Sequence, residues 1–144
     1  DIEGINSRID GIQAAILSIK LNHIVDWNNK RKSIFNYYNE SFIEVEKIDI
    51  PLISDKVTHG YHQYVIRVPQ RNELISYLLG NGINAQIHYP NPLPMLRAYE
   101  YLCHDDNDFK VARLVTNEII SLPLFPEITE SELEFIINKI INYY

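Results

Sequence analysis

The sequence predicts an α/β domain: a small, mostly antiparallel sheet of three to four strands covered by helices, with a long amino-terminal helix. Three observations carry this. Ile9, Ile12, Ile16 and Ile19 recur at three- and four-residue spacing, which is helical. Short runs rich in β-branched and aromatic residues end at proline or glycine, as strands do. Capped amphipathic segments alternate with those runs, which is the order of a layered domain.

The elements follow in order. From Ser7 to about Asn39 the pattern reads as one helix, with Ala15, Leu17, Leu21 and Ile24 widening the stripe. Ser7 and Asp10 resemble a capping box with Asp at the position usual for Glu or Gln. A more polar stretch, NHIVDWNNKRKS, precedes Ile34, Phe35, Tyr37 and Tyr38. A helix of that length exceeds the usual ~11 residues and must cross more than one packing environment or link two domains. IEVEKIDIPLI alternates and ends near Pro51, and YHQYVIRV, Tyr61 to Val68, is the clearest strand. RNELISYLLGNG is a short helix stopped by Gly80 and Gly82. INAQIHY, from Ile83, is a further strand, broken by a proline-rich loop at Pro90 to Pro94. Helical segments at about Met95 to Leu102 and Asp108 to Ile120 lead to ISLPLFP, a short extended piece. Thr129, with Glu132 three residues on, caps the last helix. Residues 1–39 thus form a linking helix and 40–144 a small α/β domain.

With 144 residues, 46% of them hydrophobic and 22% charged, the chain can bury one core and has no disordered composition. A net charge of −6 and no basic run argue against nucleic acid or an anionic membrane as partner. The single cysteine, Cys103, forms no internal disulfide framework and fits a reducing compartment, so a cytoplasmic location is expected. Asp1 opens in what reads as the middle of something, and a piece of a longer polypeptide is expected.

Three stretches carry chemistry. In GINSRID a glycine and capping side chains precede a helix, and unpaired N–H groups there attract anions. Asn6 adds an amide donor and Arg8 a guanidinium; equally, Asn6 or Ser7 is a plain cap and Arg8 is solvated. In HGYHQYVIRV, His59 and His62 are possible ligands, but no carboxylate or Cys stands at metal-binding intervals, so no metal site is expected. A half-buried sheet end explains the same residues. In QIHYPNP, His88 and Tyr89 stand where a strand enters a rigid loop, a usual place for a site; turn packing is the alternative. No Gly-rich phosphate loop, Ser–His–Asp signature or paired-carboxylate motif is present, and Cys103 beside His104 lacks a nucleophile's context.

Taken together, GINSRIDGIQAAILSIKLNHIVDW, THGYHQYVIRV, NGINAQIHYPNPL and SLPLFPEIT, in that order, resemble the carboxyl-terminal part of the DegT/DnrJ/EryC1/StrS family. These are pyridoxal-phosphate-dependent aminotransferases of fold type I, acting mostly on keto-sugar nucleotides. The resemblance runs from Gly4 to the last helix. It implies the small carboxyl-terminal domain of such an enzyme. It also implies pyridoxal 5'-phosphate as cofactor, an amino-acid amino donor, a keto-sugar nucleotide as acceptor, and a homodimer. Asn6 would reach the cofactor phosphate of the neighbouring subunit, with Arg8 nearby. His88, with Tyr89, would lie beside the sugar nucleotide. Ile5 and Lys110 depart from the family's usual residues without touching these contacts.

The resemblance also says what to expect elsewhere. The family's Schiff-base lysine lies upstream in a Ser-x-x-Lys context, outside this chain, and Lys20, Lys30, Lys32, Lys47, Lys56, Lys110 and Lys139 stand in unlike contexts. The chain by itself should not catalyse amino transfer. A related sugar dehydratase with His at the lysine position, and a non-catalytic binding or assembly domain, are the competing expectations.

Overall fold

The computed structural model describes residues 8–105 and 107–144. Its elements are α1 (Gly11–Leu21), α2 (Ile24–Phe42), β1 (Tyr64–Arg67), α3 (Arg71–Gly80), two 3-10 turns (Leu93–Met95 and Arg97–Leu102), α4 (Lys110–Glu118), β2 (Ile119–Leu122) and α5 (Glu130–Ile141). Strands β1 and β2 pair antiparallel, with Tyr64 opposite Leu122 and Ile66 opposite Ile120. Single antiparallel bridges flank the pair: Asp49 to Arg67 on one side, Gln86 to Ser121 on the other.

The sheet is therefore the small antiparallel one expected, but only two of its extended segments form a regular ladder among the described residues. The runs IEVEKIDIPLI and INAQIHY each contribute one bridge. In the first, turns occupy most of residues 43–47 and Pro51 ends the pairing donors. In YHQYVIRV the ladder starts only at Tyr64, because Tyr61 sits at φ 46, a left-handed conformation that no strand continues through.

The long helix is interrupted. Asn22 and His23 form a turn between α1 and α2, with His23 N–H donating to the Lys20 carbonyl at 3.0 Å. The interruption falls where the apolar stripe gives way to the polar NHIVDWNNKRKS stretch. The amino end is also shifted from expectation. Helix α1 begins at Gly11, and Asp10 is its N-cap, accepting from Gln13 N–H at 2.9 Å. Ser7 lies outside the described residues. The Asp10 carboxylate thus occupies the positive end of this helix, and the anion site read from Asn6 and its neighbours lies outside the described residues.

The core forms where helical and strand periodicities meet. Ile34, Phe35, Tyr38 and Phe42 bury one face of α2, and Leu133, Ile136, Ile137 and Ile140 one face of α5. These pack against each other and, with Leu74 and Leu78 of α3, over Tyr64, Ile66, Ile120 and Leu122 of the sheet. The Tyr64 ring stands 4.6 Å from Tyr38 and 4.9 Å from Phe35, centroid to centroid. The Tyr64 hydroxyl donates to Asn39 Oδ1 at 2.8 Å, and that of Tyr38 to the Pro123 carbonyl at 3.0 Å. Both phenols end on acceptors, as buried hydroxyls must.

Other sequence signals materialise as read. Helix α3 ends at Gly80, and Gly82 at φ 78 lets Ile83 N–H return to the Leu78 carbonyl at 2.9 Å. Thr129 and Glu132 form a complete capping box on α5. Hydrogen bonds from the Thr129 N–H and hydroxyl hold the Glu132 carboxyl below its usual range. The segment from Met95 to Leu102 takes 3-10 rather than α form, broken by an extended Leu96. Helix α4 stops at Glu118, because Ile119 and Ile120 join β2.

Candidate functional site

The period of a strand builds the site. Asn84, Gln86 and His88 alternate along the segment that bridges β2 at Gln86, and all three line one cleft. The bridge between Gln86 and Ser121 sets that segment against β2, with Gln86 N–H donating to the Ser121 carbonyl at 3.0 Å and Ser121 N–H to the Gln86 carbonyl at 2.7 Å. Ser121 points away from the core face, since its neighbours Ile120 and Leu122 pair with Ile66 and Tyr64. The result is a cleft of about 280 Å3 lined by His62, Gln63, Asn84, Gln86, His88, Ser121, Leu122, Pro123 and Leu124.

Its chemistry is that of amides, imidazoles and a hydroxyl, with no carboxylate in the lining. Such groups hydrogen-bond the oxygens of a polyhydroxylated ligand and repel no phosphate. His88 is half-buried, and its Nδ1 lies 2.9 Å from Ser121 Oγ. Tyr89 follows across a cis peptide bond and is 68% exposed, its ring edge-on to the His88 imidazole. His88 therefore enters the cleft, while Tyr89 stands at its outside.

The other sequence candidates scatter. Asn6 lies outside the described residues, and Arg8 is exposed ahead of α1. His59 turns inward to its own loop, its Nδ1 accepting from Tyr61 N–H at 2.9 Å. His62 reaches the cleft, a role the sequence reading left unassigned. Ser121, Asn84 and Gln86 were missed altogether. The available signal was the alternation of Asn84, Gln86 and His88; which strand would lie opposite them could not be read from it. Among the described residues no group of three or more His, Cys, Asp or Glu side chains could hold a metal ion. No helix among them is long and apolar enough to cross a membrane.

A larger groove of about 700 Å3, lined by Ile83, Phe125, Ile128 and Phe135 among others, shares Asn84 and Pro123 with the cleft. Its one ionisable side chain, Glu132, is committed to the α5 cap, so the reactive polar groups belong to the smaller cleft. Lys20, Lys30, Lys32, Lys47, Lys56 and Lys110 are exposed, Lys139 lies 5.4 Å from the Phe135 ring centroid, and none lines the cleft.

The fold is that of fold type I aminotransferases. It superposes with a TM-score of 0.90 on the crystal structure of S. venezuelae DesV in complex with a ketimine intermediate, at 27% identity over 99% of this chain and 38% of that one. The chain belongs to the DegT/DnrJ/EryC1/StrS aminotransferase family, whose pattern matches residues 1–141. It is 36% identical, over 98% of its length and 38% of the relative's, to a dTDP-3-amino-3,6-dideoxy-alpha-D-galactopyranose transaminase of Aneurinibacillus thermoaerophilus. It is 34% identical, over the same shares, to a protein of Geobacillus stearothermophilus named pleiotropic regulatory protein. The chain thus spans little more than a third of the relatives it matches.

Proposed function

We propose that this chain is the carboxyl-terminal, substrate-side domain of a pyridoxal-phosphate-dependent aminotransferase that transfers an amino group from an amino acid to a keto-sugar nucleotide. Residues 1–39 link it to the cofactor domain, and the enzyme works as a homodimer in the cytoplasm. The observation that carries the reading is the cleft in which His88, Gln86 and Asn84 converge without a carboxylate, in a chain that belongs to this family. When bound, the cofactor supplies the electron sink for amino transfer. The part played by this chain is to bind and orient. Asn84 and Gln86 offer amide groups to sugar hydroxyls, His88 offers an imidazole N–H, and the Tyr89 ring shields the outer side of the ligand. Asn6 donates to the cofactor phosphate of the neighbouring subunit, with Arg8 adding positive charge nearby.

Two variants of the intact protein test this. His88→Ala is expected to raise the Michaelis constant for a keto-sugar nucleotide about tenfold, the loss of one hydrogen bond of about 1.4 kcal/mol, and to leave cofactor retention unchanged. Asn6→Ala is expected to do the reverse, weakening cofactor retention by about 1–3 kcal/mol. If His88→Ala releases cofactor and leaves the Michaelis constant alone, the assignment of the cleft to substrate is wrong.

The homodimer has its own support. Helix α1 buries no residue, and Ile12 and Ile19 are 77% and 67% exposed. An apolar helix face of this kind needs a cover, which the proposed cofactor domain and the partner subunit would share. The 144-residue chain is expected to self-associate in sedimentation at micromolar concentration, and Ile12→Glu with Ile16→Glu to return it to monomer. A wild-type chain that stays monomeric throughout would remove this support.

A further inference from the structure

We propose that Ser121 is a positioning residue for His88: its buried hydroxyl donates to Nδ1 and holds the imidazole in the tautomer that carries its proton on Nε2. Ser121 is 6% exposed, and only Arg71 accompanies it as a buried polar or charged residue among the described ones. A buried hydroxyl has one hydrogen to place, and leaving it unpaired is costly. The contact to His88 Nδ1 at 2.9 Å is the one side-chain hydrogen bond of Ser121 Oγ; a proton on Nδ1 would make Oγ the acceptor and turn the hydroxyl hydrogen to the cleft, whereas the proposal places that hydrogen in the contact. Nδ1 is then the acceptor, and a neutral imidazole accepting at Nδ1 is protonated at Nε2.

The backbone fixes this arrangement independently of the side chains. Ser121 and Gln86 exchange both bridge hydrogen bonds, so the strand that carries His88 cannot slide along β2 without breaking them. His88 Nε2 has no protein partner among the described residues, and the ring lines the cleft. A residue held in this way presents a donor, not an acceptor, to whatever occupies the cleft. It therefore selects a ligand oxygen at that point: a carbonyl, a hydroxyl lone pair or a phosphate oxygen. That last step rests on the proposed reading of the cleft as a substrate site; the tautomer does not.

The test is nitrogen NMR on the intact protein labelled with 15N at histidine, at about pH 8 so that an ordinary histidine is neutral. The wild type is expected to show His88 as a single form with its proton on Nε2. Ser121→Ala is expected to move the His88 Nδ1 resonance and let the two tautomers mix, with the melting transition retained; Ser121→Thr, which keeps a hydroxyl, should restore the wild-type pattern. A dTDP-hexose added as probe should perturb the Nε2 signal and bind about fivefold more weakly to Ser121→Ala. A wild-type His88 protonated on Nδ1, or His88 resonances indifferent to Ser121→Ala, would overturn the proposal without any variant having to bind ligand. If the tautomer behaves as expected and the dTDP-hexose leaves His88 untouched, the positioning role stands and the substrate reading of the cleft fails.

Discussion

Tyr64→Ala is expected to destabilise the domain by about 4 kcal/mol, within the range for deleting a large buried ring. Tyr64 is fully buried where α2 meets the sheet, in contact with Phe35, Tyr38 and Phe42. Those three neighbours all stand on one helix, α2, whose backbone holds them in place, so they cannot collapse into the space left behind. Tyr64→Phe, which removes only the bond to Asn39, should cost about 1 kcal/mol. Urea unfolding of the three proteins measures both; a Tyr64→Ala loss no greater than that of Tyr64→Phe would show that the ring is not a keystone. The same pair sets the alkaline limit. Burial pushes the phenols of Tyr64 and Tyr38 above the ordinary tyrosine range, and for Tyr38 the neighbouring Tyr64 adds to it. Their folded values lie above the unfolded value of about 10, so this contribution is full below that pH and is lost as pH rises further. The double variant Tyr38→Phe/Tyr64→Phe should move the alkaline unfolding transition upward.

Arg71→Met is expected to cost about 3 kcal/mol, measured in the same way, for a different reason. The Arg71 guanidinium is buried without a carboxylate and donates instead to the carbonyls of Ile119 at 2.8 Å and Thr116 at 3.1 Å, with Nε to Asn72 Oδ1 at 2.8 Å. Thr116 belongs to the last turn of α4, where carbonyls lack helical partners and the dipole is negative. Burial lowers the pKa of Arg71, which marks the desolvation that these hydrogen bonds offset. Methionine fills the same space but leaves buried carbonyls unpaired, so the loss should exceed that of a neutral hydrogen bond. A change below about 1 kcal/mol would mean that water reaches those carbonyls.

Both residues show what was readable in the sequence and what was not. The strand of Tyr64, the helix of Arg71 and the Thr129–Glu132 box all follow from local pattern, because period and capping are properties of consecutive residues. Where the long helix breaks is a local property too, but the stripe through Ile24 hid it; Asn22 and His23 turn at the point where one packing environment ends. The bond from Arg71 to Ile119 and the register that sets Ser121 against Gln86 join residues far apart in the chain, and no periodicity encodes them. His88 was visible as a strand-end histidine, and its partner was not. The site was thus legible as single residues and illegible as a constellation.

The most direct test is a crystal structure of the intact protein with the proposed cofactor and a nucleotide-linked keto-hexose bound. The hexose is expected to lie in the cleft between the Asn84–His88 segment and β2, with one of its oxygens within hydrogen-bond distance of His88 Nε2. A hexose bound elsewhere, with the cleft filled by water or by protein side chains, would contradict it.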